Sequence, residues 1–282
     1  MCLDVRQRII MVCAAAFALT AFAPPAAAQP KLESSSLGHW RGYWMSAVDP
    51  RMQGPVEQVI DTERNRRVLG TMEWNTAGGL LELDLAGTTS ASCRFNYVLT
   101  GMGASEGIRM VINGIHDPGI ATGEYMLFDK GLTDRGHIFL VQDSNAPASN
   151  VVGDYMGTAT SDAGLAHDFA LDIKEQDRDP TTGRSLGNFE GVAAAPNTTP
   201  FRELGDTLFF DFDGRIDDRG HALVVGLGFA GIFLVEADFD ETRKMFTGDY
   251  LVFFADGTME AGMLELALTP IVTEGAIGSP GI

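Results

Sequence analysis

The chain is poor in cysteine, in basic residues and in long apolar runs, and each shortage removes a class of protein. It has three cysteines in 282 residues, and two of them, Cys2 and Cys13, lie in a leader-like N-terminus. A chain processed after that leader keeps Cys93 alone, so no intramolecular disulfide is expected in it. Lysine and arginine number 20 against 38 acids, for a formal charge of −18. The basic residues are not clustered as a phosphate backbone requires, so no nucleic acid is expected as a partner. Tryptophan and tyrosine number only 3 and 5, too few for the aromatic girdles of an outer-membrane barrel. The zinc-protease and phosphate-loop strings are missing, and neither a serine nucleophile elbow nor a dinucleotide fingerprint is expected. No cofactor is implied.

The N-terminus itself has a plan. Arg6 and Arg8 precede an apolar stretch from Ile9 to Phe22, which Pro24 and Pro25 end before Ala26-Ala27-Ala28. This is the layout of a secretory signal peptide with cleavage before Gln29. The stretch is shorter than the roughly 18–20 residues that cross a bilayer. A periplasmic or extracellular protein with no membrane span in its mature form is the expectation.

Internal similarity is the strongest signal in the rest. The segment from Phe128 to His137 aligns without a gap on the segment from Phe212 to His221, and apolar residues follow both histidines. Gly123-Glu124-Tyr125, Gly153-Asp154-Tyr155, Gly205-Asp206-Thr207 and Gly248-Asp249-Tyr250 open related strands. A fainter match pairs Leu37–Gly42 with Leu186–Gly191. Aromatic and β-branched residues suit a half-buried pleated surface, and Asp-Gly pairs suit tight turns, so the repeated unit reads as a β-hairpin. Only the segment from Val56 to Arg66 has any helical character, and Val59 and Ile60 permit a strand there too. The expected fold is all-β: an antiparallel hairpin meander with internal repeats that closes into a β-barrel, one large or two small. Closure removes the exposed edges. The expected divisions are a signal at 1–28, a first β half at 29–175, a connecting loop at 176–200, a second β half at 201–269 and a tail at 270–282.

Gly38-His39-Trp40, and more loosely Thr247-Gly248-Asp249-Tyr250, resemble the two short motifs of lipocalin-like (calycin) barrels. The resemblance implies an up-and-down barrel whose first tryptophan plugs one end and whose interior holds a small apolar ligand. On that basis Trp40, Tyr43 and Trp44 are the candidate ligand contacts.

Two constellations suggest chemistry. His137 and His221 follow the repeated Asp-Arg-Gly, and if a pseudo-symmetric barrel brings them together they form an acid/base or ligand pair set by Asp134 and Asp218. The plainer reading makes Asp-Arg-Gly a turn. Asp211, Asp213 and Asp217 around Gly214 resemble the first half of a calcium loop, but the later glutamate of such loops is missing. A binding or interaction module is the first reading. A barrel-type enzyme (cyclase, isomerase or hydrolase) and a structural surface component are the alternatives, and the oligomeric state is left open.

Overall fold

A computed structural model describes residues 36–49, 51–90, 92–196 and 207–269 of the chain. The expected signal, its cleavage point before Gln29, the Gly205-Asp206 strand opening and the 270–282 tail lie outside these residues.

The meander closes twice. The first barrel is formed in chain order by β1 (Gly38–Ser46), β2 (Gln53–Arg64), β3 (Arg67–Thr76), β4 (Gly79–Thr89), β5 (Arg94–Gly101), β6 (Arg109–Asp117), β7 (Ile120–Phe128) and β8 (Leu132–Gln142). The second is formed by β9 (Gly153–Ser161), β10 (Ala166–Arg178), β11 (Ser185–Pro196), β12 (Thr207–Ile216), β13 (His221–Gly228), β14 (Gly231–Asp240), β15 (Met245–Phe254) and β16 (Met259–Leu268). All pairings are antiparallel, and β1 with β8 and β9 with β16 close the rings. The segment with some helical character is β2, where Val56, Gln58 and Ile60 point inward and Val59 outward.

The expected boundary at 176–200 is corrected. That stretch ends β10, turns at 179–183 and continues as β11, so its Asp-Pro and Thr-Thr-Gly make a hairpin turn. The barrels are joined instead by residues 143–152. This linker is pinned to the second barrel: the Gln176 side chain donates to Ser149 O and Leu186 O and accepts from Val151 N, while Asn188 Oδ1 accepts from Ser144 N. The ungapped repeat is not a structural repeat either. In its first copy the turn falls at Asp129–Gly131 and Asp134–His137 lie within β8, whereas in the second Asp217–Gly220 are the turn.

Alternation decides each core. Trp40 and Trp44 of β1, Trp74 of β3 and Tyr125 of β7 face into the first barrel, where Trp44 stacks on Trp74 at 5.1 Å and Tyr125 meets Trp74 edge-on at 4.8 Å. The second barrel is filled by a phenylalanine-rich cluster around Phe233, with Tyr155 and Tyr250 also inward. Glycine makes room for these rings: a Cβ on Gly114 would sit 2.6 Å from Phe95 Cζ.

Strands that face the other barrel break the alternation. Phe139 and Val141 of β8 and Tyr43 and Met45 of β1 turn their outward sides against Leu223 and Val225 of β13 and Ile232 and Leu234 of β14. The runs Ile138–Val141, Ala222–Val225 and Ile232–Val235 are therefore apolar throughout because both faces are covered. A polar clamp borders this seam. Arg41 Nε donates to Asp143 at 2.9 Å, its guanidinium reaches Asp213 across the seam at 3.3 Å, and Gln53 Nε2 donates to Gly228 O at 3.0 Å.

Candidate functional site

The two motif histidines do not meet. His137 points out of the first barrel into the seam, its ring 5.1 Å from Phe253. Phe253 is paired with Ile232, and Ile232 with Leu227. His221 starts β13 six residues before Leu227, about 20 Å along the strand. Their environments are opposite as well. Burial pushes the His137 pKa down, against the pull of Glu124 on the next strand. A hydrogen bond to Glu236, aided by Asp238, pushes that of His221 up despite its burial.

Nor do the expected acids set them. Asp134 and His137 lie an odd number of residues apart in one strand, so they face opposite sides of the sheet. Asp134 points into the first barrel and accepts from Ser46 Oγ at 2.5 Å and Tyr125 Oη at 2.6 Å. Asp218 is exposed in the turn, and it is Asp217 that accepts from Arg219 N and His221 N. Asp211 is exposed and Asp213 is engaged by Arg41, so the calcium-like trio does not converge. Among the described residues no group of three or more His, Cys, Asp or Glu is placed to hold a metal ion.

The proposed ligand contacts divide. Trp40 and Trp44 are inward and almost fully buried, and Trp40 Nε1 donates to Ser36 O at 2.9 Å. Tyr43 lies between them in sequence and must point outward, into the seam beside Asp213. The two lipocalin-like motifs also part company: Gly38-His39-Trp40 opens the first barrel, while Thr247–Tyr250 lies in the seventh strand of the second.

Two strings correct the expectation about motifs. Gly103-Ala104-Ser105-Glu106-Gly107 has the spacing of a nucleophile elbow, and Gly226-Leu227-Gly228-Phe229-Ala230-Gly231 that of a dinucleotide fingerprint. Both chemistries need a strand leading into a helix. Here the first is a 3-10 turn between β5 and β6, with Ser105 2% exposed and its Oγ accepting from Glu82 N; the second is the β13–β14 hairpin. Neither supplies its context. Cys93 is disulfide-bonded, whereas the sequence reading expects no disulfide in a chain processed after the leader.

What sequence reasoning passed over is His116. Met110, Ile112, Gly114 and His116 alternate inward along β6, and the backbone of His116 donates to Cys93 O at 2.7 Å. The side chain is only 4% exposed, yet among the described residues neither ring nitrogen has a hydrogen-bond partner, and Gln58 Oε1 in the same barrel is also buried and unpartnered there. Burial lowers the pKa of His116, with Glu63 pulling weakly the other way, so the ring is neutral at pH 7 and offers one donor and one acceptor. Its ring lies 6.5 Å from Phe95, which stacks on Tyr97 at 4.4 Å. A cleft of about 500 Å³ over β4–β7 is lined by Thr89, Phe95 and Gly114 together with Thr88, Asn96, Asn113 and Glu124; His116 does not line it, and the two share Phe95 as a neighbour. His116 thus combines an aromatic neighbour with unused hydrogen-bonding capacity, and the cleft adjoins it through Phe95.

Comparisons with known proteins add little to this. No protein-family model matches the chain, and no curated protein matches it. Among solved structures, a protein of unknown function from the DUF3598 family of Nostoc punctiforme is similar, with 12% identity and a TM-score of 0.27, over 83% of this chain and 96% of that one. A likeness at that level carries no argument about function.

Proposed function

We propose that the chain is a binding protein whose first barrel receives a small, largely apolar molecule bearing one hydrogen-bonding group, with the second barrel as scaffold. The observation that carries this reading is His116. A buried polar group without a partner costs about 1–3 kcal/mol, and two nitrogens on one ring are left in that state. A guest with a hydroxyl or carbonyl offsets that cost, and Phe95, Tyr97 and Ile112 offer its body an apolar wall.

The test compares 1-naphthol with naphthalene on the full chain, followed by tryptophan emission and native mass spectrometry. A single satisfied hydrogen bond is worth about 0.5–1.5 kcal/mol, so naphthol should bind roughly 2- to 12-fold more tightly. His116→Phe should erase that preference and leave naphthalene within about twofold of the parent. A preference that survives in His116→Phe, or no binding of either probe, defeats the reading.

Export belongs to the same proposal, supported by the Arg6/Arg8, apolar stretch and Ala26-Ala27-Ala28 plan. N-terminal sequencing of protein recovered outside the cytoplasm should begin at Gln29. Material that begins at Met1 would count against it.

A further inference from the structure

The outer face of the second barrel over β9–β12 carries an apolar row that nothing in the described structure covers. Phe209 of β12, Ala194 of β11, Ala170 of β10 and Met156 of β9 are successive register partners, and all four point outward. Phe209 is 64% and Met156 59% exposed, so two large side chains stand up on either side of two alanines. Neighbouring strands lie about 4.8 Å apart, which puts the two knobs about 14 Å from each other with a shallow saddle between them.

Carboxylates border the saddle above and below. Two residues along β10 in one direction is Asp172, whose register partner Asp154 lies beside it, with Asp211 further along the same row. Two residues in the other direction is Asp168. Among the described residues none of these four acids has an ion-pair partner. Each acidic row is therefore about 7 Å from the saddle, which is the same-face repeat of an extended polypeptide.

We propose that this saddle docks an extended segment of a partner protein with the pattern basic, any, aliphatic, any, basic. The aliphatic side chain sits on Ala170 and Ala194 between Phe209 and Met156, and the two basic side chains reach Asp168 and Asp172. Because the barrel is closed, no strand edge is free for main-chain pairing, and recognition rests on side chains. A second copy of this chain is a poor occupant, since it brings acids to acids. The proposal is independent of the guest in the first barrel.

The test uses the blocked peptide Gly-Lys-Thr-Leu-Thr-Lys-Gly titrated into the full chain, with backbone amide shifts as readout. Shifts should concentrate at Met156, Ala170, Ala194 and Phe209. The Asp168→Asn/Asp172→Asn variant, whose changes are on the surface, should bind at least fivefold more weakly, as should the peptide with Ser for Leu. Equal binding of the Ser peptide would mean charge alone and overturns the proposal. So do shifts confined to another surface, no shifts at all, self-association through the saddle by sedimentation, or binding of neutral lipid vesicles that the peptide cannot displace.

Discussion

Trp74→Ala should be among the most damaging single changes, costing about 3–5 kcal/mol in denaturant unfolding at pH 7. The ring is 1% exposed, stacks on Trp44 and takes the edge of Tyr125, so truncation leaves a cavity between two rings that rigid strands hold apart. Tyr125 is also the donor to the buried Asp134, so its displacement disturbs that hydrogen bond at one remove. The remaining tryptophans, Trp40 and Trp44, both line the first barrel, so emission still reports that barrel in the variant. A loss under about 1 kcal/mol would mean that the cluster does not hold the barrel together.

The second large effect is expected at the clamp. Arg41→Met should cost about 3 kcal/mol at pH 7, because it leaves Asp213 ionised, mostly buried and without its cation. The loss should shrink on acidification. Burial already holds the Asp213 pKa above its usual value, against the opposing pull of Arg41. A carboxyl whose folded pKa exceeds its unfolded one takes up its proton first in the folded state, so folding gains stability as pH falls through the folded value. Removing Arg41 raises that value further and widens the window. Unfolding curves at pH 7 and pH 5 test this, and an equal loss at both would remove Asp213 from the explanation. Adding Asp213→Asn to Arg41→Met should recover part of the loss at pH 7.

Much of the fold was legible in the residues. Alternation in segments such as Gly70–Trp74 and Leu80–Leu85 marks strands with one wet face, and Asp-Gly and Gly-rich pairs mark their turns. The run Ile138-Phe139-Leu140-Val141 carried further information: four apolar residues in a strand of an antiparallel sheet require cover on both sides, and that cover is the other barrel. The barrel boundary was harder, because 143–152 and 176–184 have the same loop-like composition. Whether a turn returns to its neighbour or crosses to a new sheet depends on long-range pairing that no local window contains. The histidine pair failed for a related reason, since an ungapped match says nothing about which residue begins the turn. His116 was visible by alternation from Met110 onward, but it stands in no motif, and its lack of partners is a property of the assembled barrel.

The seam also has a mechanical meaning. In a meander barrel the first and last staves are joined only by hydrogen bonds, with no turn between them, and that join is where such a ring would unzip. In the first barrel the join is β1 against β8, and those are the staves whose outer sides lie under β12, β13 and β14. To part them the neighbour must first be lifted away, so the second barrel works as a latch on the first. Its own join, β9 against β16, has no such cover among the described residues and lies on the far side, next to the saddle.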